Sequence, residues 1–286
     1  MQKTVSSSMT LRQTYNRYIS FPLLDRTIKS GLRGATALAA RLKGFHFPRN
    51  YVRQQKWEML TGAYEQDSVA LFKHSIRPGM VVVDLGAHIG YFTRLFSKLV
   101  GKKGKVLACE ADPFIFKLLQ KNTEQLQNVE PHQLAISDEA GTIDFYHSEE
   151  KSGCGSTVAV LPVFFKRNRL AVSAAPLDSV LEEAGISRVD FIKMDIEGGE
   201  PKALRGMRET LKQNPAIILV TEFAPEWIRA GGMEPLRFLE ELRGFGFSLS
   251  LILDGSLVPF DPKTEEEMRT AMPSYFANIY CKRVRE

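Results

Sequence analysis

Acidic residues stand at the ends of several short apolar runs of this chain. Runs such as 81–85 and 189–194 are rich in β-branched and apolar residues, which predicts buried strands. A carboxylate at such a place can hold a cation, accept hydrogen bonds from hydroxyl groups, or take the proton of a reacting hydroxyl. The carboxyl ends of parallel strands border the ligand crevice of an open α/β sheet. The acids that we expect around one crevice are Asp84, Glu110, Asp195, Glu197 and Glu222.

A glycine turn follows the first of these runs. Gly86 and Gly90 lie between Val81–Leu85 and a helical pattern that begins at Tyr91, which is the order in which a nucleotide-binding α/β unit opens. Glycine suits this turn because a Cβ would clash at positive φ or block a ligand from the backbone.

Two classes of ligand compete for this turn. The dinucleotide fingerprint G-x-G-x-x-G needs a middle glycine, and His88 stands in its place. Asp84 would also repel a diphosphate. The sulfonium and ammonium groups of S-adenosylmethionine suit Asp84 better, with the carboxylate holding the ammonium directly or through water. We therefore expect this cofactor at Asp84, Gly86, Ala87, His88 and Gly90.

A second acid fits the ribose of that cofactor. Glu110 ends the run Lys105–Glu110, 20 residues after Gly90, where an acid accepts hydrogen bonds from both ribose hydroxyls. We expect Glu110 and Ala111 to contact the cofactor. The alternative is that Glu110 only caps the helix that Pro113 opens.

Five motifs resemble, in their order, those of the FkbM family of methyltransferases. The resemblance covers about residues 57–224, and its most specific part is the Lys-x-Asp-x-Glu-Gly-x-Glu run. It implies a class I, S-adenosylmethionine-dependent fold that usually methylates a hydroxyl group of a sugar, polyketide or similar metabolite. One departure is His88, where the family commonly has Asn. The motifs are Asp84–Gly90, Glu110–Pro113, Ala135–Asp138, Leu177–Ser179 and Ile192–Glu200.

The resemblance implies further cofactor contacts at two polar pairs. Tyr64 and Glu65 match a Tyr-Glu pair that precedes the first strand in the family and lies near the cofactor. The alternative is that Tyr64 packs in the core and Glu65 supports a helix start. Ser137 and Asp138 follow the third strand, where class I methyltransferases commonly read the adenine edge, although a plain turn has the same composition.

Asp195 and Glu197 are the candidate catalytic residues. A hydroxyl must lose its proton as the methyl group arrives, and a carboxylate within hydrogen-bond reach assists this. The two acids could instead coordinate Mg²⁺, which would polarise the hydroxyl. Asp195 is also an expected cofactor contact, and Glu222 an expected substrate contact. For all three the alternative is bonding to backbone N–H groups. Lys193 is read as a packing or ion-pairing residue and Glu200 as a helix-start residue.

Residues 142–175 depart from the alternation of strands and helices. Thr142–Tyr146 and Leu170–Ser173 alternate like strands, and a loop of small residues, Ser152–Thr157, separates them. We expect a β-rich flap that carries part of the acceptor pocket, with Ser156 as a substrate contact. The alternative is a surface hairpin with a flexible tip.

Together these patterns predict an α/β fold of the class I methyltransferase (Rossmann-like) type. Its seven-stranded, mostly parallel sheet would include an antiparallel last strand, with a β-rich insertion and a helical N-terminal extension added. We expect a basic extension at 1–50 and the methyltransferase domain at 51–286. Other predicted elements are a third strand His132–Ile136, a helix Phe114–Leu126, a loop Phe223–Trp227, two last strands Phe247–Leu253 and Tyr275–Cys281, and an exposed linker Asp254–Met272.

Charge is spread unevenly along the 286 residues. Residues 1–49 carry nine Lys or Arg and one acid, which gives a net charge of +8. Since the whole chain has a net charge of +5, residues 50–286 have a net charge of −3. This argues against a nucleic-acid groove in the catalytic part.

The pattern from Phe21 to Leu42 suggests a basic amphipathic helix. It would pack on the catalytic domain, touch an anionic membrane through residues 21–43, or act as a transit peptide.

The remaining composition narrows the class of protein. Cys109, Cys154 and Cys281 are far apart, so neither a disulfide framework nor a zinc site is predicted. Without an apolar run of about 18 residues or an apolar signal core, we expect a cytoplasmic protein, at most at the periphery of a membrane. The main prediction is O-methylation of a small metabolite, sugar or glycan. Methylation of RNA or protein, and a cofactor-binding module without turnover, are the alternatives.

Overall fold

The computed structural model describes residues 34–48, 51–147, 155–159, 168–272 and 276–283. The chain divides into two compact units, residues 1–45 and 46–286. In the first unit, residues 34–42 form helix α1, on which Leu38 and Leu42 are exposed. The earlier part of the predicted amphipathic helix, and residues 152–154 of the predicted loop, lie outside the described residues. No helix in the described ranges is long and apolar enough to span a membrane.

The second unit alternates strands and helices, as the sequence predicts. Its helices are α2 Arg53–Thr61, α3 Gln66–Ser75, α4 Tyr91–Val100, α5 Pro113–Thr123, α6 Leu177–Glu183, α7 Glu200–Arg205, α8 Arg208–Gln213, α9 Pro225–Ala230, α10 Pro235–Gly244 and α11 Glu265–Ala271. Its strands are β1 Val81–Leu85, β2 Lys105–Glu110, β3 Val129–Gln133, β4 Ala135–Ile136, β5 Gly141–His147, β6 Asn168–Ala175, β7 Phe191–Met194, β8 Ile218–Phe223, β9 Phe247–Leu253, β10 Ser256–Pro259 and β11 Ala277–Arg283.

Eight strands form one sheet in the order β10-β9-β11-β8-β7-β1-β2-β3. The pairs from β8 to β3 are parallel, and β11 runs antiparallel to both β8 and β9. Without β10, this is the predicted seven-stranded class I sheet with its antiparallel last strand. The strand order reverses between β1 and β7, and ligands bind at such a switch point, outside the carboxyl ends of the strands.

An eighth strand lies within the segment 254–272, which the sequence predicts as an exposed linker. Asp254 (φ 46°) and Gly255 (φ 73°) form a two-residue turn, across which Ser256 pairs with Leu253. Asp-Gly favours a type I′ hairpin because both residues tolerate positive φ. Helix α11 follows. The segment is mostly exposed, as predicted, and contains a strand and a helix that the sequence analysis does not predict.

The predicted third strand, His132–Ile136, is two strands in two sheets. β3 pairs with β2 as far as Gln133, opposite the last residue of β2. Leu134 then donates its N–H to the Glu110 carbonyl, and β4 pairs with β6 in a second sheet of order β4-β6-β5. This second sheet forms the β-rich insertion that the sequence predicts.

Two other predicted boundaries are wrong. The helix predicted at Phe114–Leu126 begins at Pro113 and ends at Thr123. The loop predicted at Phe223–Trp227 contains the start of α9, because Pro225 occupies the first turn of a helix, where its missing N–H costs nothing.

Aromatic packing holds two helices on the main sheet. Phe72 of α3 meets Phe96 of α4 and Phe191 of β7 edge to face, with ring centroids 5.2 and 5.6 Å apart. All three rings are buried. Such pairs add about 1 kcal/mol each beyond their buried area. They fix α3 and α4 against the centre of the sheet, where the strand order reverses.

Asp178 joins α6 to α8 and provides a test of this fold. Its carboxylate accepts hydrogen bonds from the N–H (2.8 Å) and hydroxyl (2.6 Å) of Thr210 and from the N–H of Glu209 (3.0 Å). Asp178 therefore caps α8, whose own preceding residue supplies no side-chain cap.

We expect Asp178→Ala to lower the free energy of unfolding by about 2 kcal/mol, measured by urea denaturation. Glu182→Ala, an exposed change on α6, is the control, and an equal effect of both would contradict this role.

Candidate active site

A pocket of about 790 Å³ lies at the carboxyl ends of β1, β2, β7 and β8. Its position is the crevice that the strand order predicts. The fold brings most of the predicted site residues to this place, and their contacts with a ligand stay predictions. Those that line it are Tyr64, Glu65, Gly86, Ala87, His88, Glu110, Ala111, Asp195, Glu197 and Glu222.

The turn after β1 depends on Gly86. A Cβ at this residue (φ 73°) would lie 1.8 Å from the Asp195 carbonyl oxygen. The N–H groups of Gly86 and Ala87 both donate to the Cys109 carbonyl at 3.0 Å. The positive φ confirms one of the two predicted reasons for glycine, and the close approach that excludes a Cβ is that of the chain after β7. The approach of a ligand stays a prediction.

Glu110 is held by backbone donors on both of its carboxylate oxygens. The His88 N–H donates to Oε2 (2.8 Å) and the Asp112 N–H to Oε1 (2.9 Å). Burial raises the pKa of Glu110 to about 7, although the two donors oppose this shift. The alternative that Glu110 caps α5 is wrong. Asp112 is the cap, because its Oδ1 accepts the N–H groups of Phe114 and Ile115.

Asp84 lies beneath the pocket and does not line it. Its side chain is fully buried, its Oδ2 accepts the Thr93 hydroxyl (2.6 Å), and its Oδ1 faces Lys193 Nζ at 3.7 Å. The sequence predicts that Asp84 holds the ammonium group of a ligand. In the structure, the chain itself supplies the ammonium that faces Asp84, because Lys193 is its direct neighbour in the β1–β7 register.

Lys193 is a buried cation at the floor of the pocket. Its Nζ lies 3.2 Å from Asp195 Oδ2 and 3.3 Å from the Gly86 carbonyl oxygen. Burial by itself would lower the pKa of Lys193, but Asp195, Asp84 and Glu65 outweigh burial and raise it, so the side chain stays charged. It forms the ion pairs that the sequence suggests, and it also lines the pocket.

Three carboxylates meet beside this cation. Oxygens of Asp195, Glu197 and Glu222 lie within 4.8 Å of one another. Burial, followed by the charges of Asp195 and Glu200, raises the pKa of Glu222 well above its ordinary value. One buried ammonium thus faces several acids, and the surplus of negative charge suits a cationic ligand.

The turn after β7 is supported by Glu200. Its carboxylate oxygens accept the N–H groups of Ile196 (2.9 Å) and Gly198 (2.8 Å). Glu200 is also the first residue of α7, which confirms its predicted place at a helix start.

Strained backbone is concentrated in the pocket. Glu65 (φ 43°), His88 (φ 51°) and Glu197 (φ 53°) all have left-handed backbone and all line the pocket. This conformation costs a residue with a Cβ about 1–2 kcal/mol. Such residues cluster at functional sites, where the surrounding structure enforces the strain.

Five predicted site residues do not line the pocket: Asp84, Gly90, Ser137, Asp138 and Ser156. Gly90 begins α4, and Ser156 donates its hydroxyl to the Glu197 carbonyl. In place of the predicted adenine contact, Asp138 Oδ2 accepts two hydrogen bonds from the Arg205 guanidinium (2.9 and 3.0 Å). The Ser137 hydroxyl bonds Asp138 at 3.1 Å, so this pair joins the end of β4 to α7.

Several pocket residues are not among the site residues that the sequence predicts. Thr157 lies in the insertion, where the sequence does predict part of the acceptor pocket, and Trp227 lies at the end of the predicted loop Phe223–Trp227. Tyr51, Gln55 and Phe276 lie in segments for which the sequence predicts no site. They are single residues from distant parts of the chain, so no spacing of motifs could reveal them.

Comparisons with known proteins find methyltransferases. A family model described as "Methyltransferase FkbM domain" matches residues 84–249. The 2-O-methyltransferase NoeI of Sinorhizobium fredii is 28% identical over 178 residues, which cover 58% of this chain and 72% of NoeI. Methyltransferase sdnD of Sordaria araneosa is 27% identical over 177 residues, which cover 52% of this chain and 68% of sdnD.

One solved structure extends over most of the chain. A SAM-dependent methyltransferase from Aquifex aeolicus has a TM-score of 0.42 and 17% identity, covering 89% of this chain and 98% of its own. A similarity this low adds nothing to the assignment of the fold, which rests on the strand order.

The state of Glu110 predicts how cofactor binding depends on pH. Each carboxylate oxygen keeps a second lone pair for a ribose hydroxyl, and only the ionised form accepts both hydrogen bonds. If Glu110 binds the ribose as the sequence predicts, binding is strongest above the pKa of about 7 and weakens as pH falls through it. We expect calorimetry with S-adenosylmethionine to show a loss of up to about tenfold per pH unit below that value.

Glu110→Gln tests this assignment, because the amide cannot ionise. It should bind S-adenosylmethionine at least about tenfold more weakly than the wild type at about pH 7.5, and its pH slope should be smaller than that of the wild type. Glu130→Gln, a change on the neighbouring strand β3, should keep both affinity and slope. A wild-type slope in Glu110→Gln would remove Glu110 from the cofactor site.

Proposed function

The chain belongs to the FkbM methyltransferase family, and on that premise we propose that it transfers the methyl group of S-adenosylmethionine to a hydroxyl group of a small metabolite, sugar or glycan. It is an S-adenosylmethionine-dependent methyltransferase. The choice of a hydroxyl acceptor rests on the carboxylates of Asp195, Glu197 and Glu222, which face one pocket. The name of NoeI, a 2-O-methyltransferase, supports the same acceptor group.

The charge of the pocket supports the cofactor. S-adenosylmethionine supplies, when bound, an electrophilic methyl group on a sulfonium. We assign its ribose to Glu110, whose oxygens are already oriented by two backbone donors. We assign its ammonium group to Glu65 and Asp195, which line the pocket, and not to Asp84, which is buried beneath Lys193.

Removal of the acceptor proton is the step that the chain can assist. A carboxylate within hydrogen-bond reach can take the proton as the oxygen is methylated. Asp195 is fixed by its ion pair with Lys193, and Glu197 stands two residues later in the same wall. We assign proton uptake to these two residues, and orientation of the acceptor hydroxyl to Glu222.

The acceptor side of the pocket combines apolar rings with polar groups. Trp227 and Phe276 line it together with Gln55 and Glu226. Aromatic rings contribute apolar contact area, and the amide and carboxylate can bond hydroxyl groups. This combination supports an acceptor that has both apolar faces and hydroxyls, such as a sugar or a hydroxylated metabolite.

Mg²⁺ is the second candidate for activating the hydroxyl. The carboxylates of Asp195, Glu197 and Glu222 are oxygen ligands of the type it prefers. The geometry favours a metal-free reaction, because the Lys193 ammonium already neutralises Asp195 at 3.2 Å and would repel a divalent cation there.

Labelled cofactor tests the proposed function. The enzyme is incubated with methyl-tritiated S-adenosylmethionine and a fractionated cell extract, and we expect label in a small-molecule or glycan fraction that releases it only under conditions that cleave methyl ethers. Label in RNA or protein would favour the macromolecular alternative, and a cofactor-binding module would leave every fraction unlabelled. The same assay with EDTA tests the metal, and loss of labelling that Mg²⁺ restores would contradict the metal-free form.

Asp195→Asn tests the assignment of proton uptake. The amide keeps the shape of the side chain but cannot accept a proton, so we expect labelling to fall by at least about a hundredfold. The rate is compared at saturating S-adenosylmethionine, because Asp195 is also assigned to the ammonium group and its loss should weaken cofactor binding, measured by calorimetry. Asp254→Asn, an exposed change in the turn between β9 and β10, is the matched control. An unchanged rate in Asp195→Asn would remove Asp195 from the mechanism.

The N-terminal residues support a separate proposal, contact with an anionic membrane surface. Residues 1–49 carry a net charge of +8, and helix α1 exposes Leu38 and Leu42. We expect the full chain to co-sediment with vesicles that contain phosphatidylserine and not with neutral vesicles. The double variant Arg41→Glu/Lys43→Glu should weaken this binding, and equal binding to both kinds of vesicle would contradict the proposal.

A further inference from the structure

Residues 156–158 of the insertion cover the turn that carries Glu197. The Ser156 hydroxyl donates to the Glu197 carbonyl. A Cβ on the two glycines that follow would lie 3.1 Å from the Val158 side chain and 3.3 Å from Thr157 Oγ1, respectively. Three consecutive residues of the insertion therefore contact three consecutive residues of the turn.

Ser156 is itself fixed in place. It is fully buried, and its backbone N–H and carbonyl pair with Tyr146 of β5 at 3.2 and 2.7 Å. Its Oγ accepts the Val158 N–H at 2.9 Å. The hydroxyl hydrogen is then directed to the Glu197 carbonyl. Ser156 does not line the pocket, and its predicted contact with the substrate stays a prediction.

The insertion is also tied to the cofactor side of the pocket. His147, at the end of β5, bonds Asp112 through its Nδ1, and both side chains are buried. Asp112 caps α5 and donates its N–H to Glu110. The strand that pairs with Ser156 is therefore anchored to the wall of the same pocket.

The turn needs such support because of its backbone. Glu197 has a φ of 53°, which is unfavourable for any residue other than glycine. Glycines follow at positions 198 and 199, and they permit many other conformations. Within the turn, the Glu200 carboxylate holds the N–H groups of Ile196 and Gly198. Ser156 adds, from the insertion, the hydrogen bond to the Glu197 carbonyl.

We infer that Ser156 is a positioning residue, which holds the Glu197 backbone in its left-handed turn and so keeps the Glu197 carboxylate beside Asp195 in the pocket. The catalytic consequence rests on the proposed function, whereas the contact with the turn does not. The insertion then has a defined task, since it sets the position of a reactive carboxylate.

A double-mutant cycle tests this inference. Initial rates of tritium transfer to the acceptor fraction are compared for the wild type, Ser156→Ala, Glu197→Gln and the double variant. We expect Ser156→Ala to lower the rate about tenfold, because a misplaced carboxylate loses its reach to the acceptor. Its affinity for S-adenosylmethionine should stay within about twofold of the wild type. The double variant should be no slower than Glu197→Gln alone.

Two controls separate positioning from a loss of folding. Ser173→Ala removes an exposed hydroxyl from the same small sheet and should leave rate and melting temperature unchanged. A crystal structure of Ser156→Ala should show the 197–199 turn in a new conformation, with Glu197 at negative φ. An unchanged turn, or an equal loss of rate from Ser156→Ala with and without Glu197→Gln, would overturn the inference. A wild-type rate in Glu197→Gln would instead refute the proposed role of Glu197, and the crystal structure would then decide the positioning role alone.

Discussion

One buried ammonium holds the centre of this pocket together. β1 and β7 lie side by side in a register that places Asp84 opposite Lys193. Two residues after Lys193 comes Asp195, whose carbonyl approaches Gly86 so closely that no Cβ fits between them. The carboxylates of Asp84 and Asp195 would repel each other across this junction, and breaking a buried ion pair leaves an uncompensated charge. Lys193 lies between the two carboxylates, 3.7 Å from Asp84 and 3.2 Å from Asp195, and its single charge offsets their repulsion.

The single charge of Lys193 does not balance all the acids of the pocket, so the pocket remains acidic. Lys193 shares its charge between Asp84 and Asp195, and Glu65, Glu110, Glu197 and Glu222 also line the pocket. Burial raises the pKa of Glu110 and Glu222, which lowers the repulsion among these acids in the empty pocket. A cationic ligand favours their ionised forms. Cofactor binding and carboxylate ionisation are thus coupled, and this coupling follows from the shortage of basic side chains at the site.

The sequence predicts the frame of the site better than the individual roles within it. Strands β1, β2 and β9 have the predicted bounds because β-branched and apolar runs between glycine or proline signals leave little choice. The acids at strand ends reach one crevice because parallel strands end together. Asp84 shows the limit of this reasoning. Alternating strand residues point to opposite faces, and only the packing of α4 and the pairing of β1 with β7 show that Thr93 and Lys193 enclose this carboxylate.

The residues of the pocket come from inside and from outside the family match, and this difference bears on acceptor specificity. The proposed cofactor contacts Gly86, Glu110 and Asp195 lie within the family match at 84–249, whereas Glu65 precedes it. Tyr51, Gln55, Met59 and Phe276 line the pocket from outside that match. A family whose members share one cofactor and differ in acceptors needs constant residues around the cofactor and variable residues around the acceptor. We therefore expect the choice of acceptor to depend on α2 and on the segment before β11, which lie outside the family match.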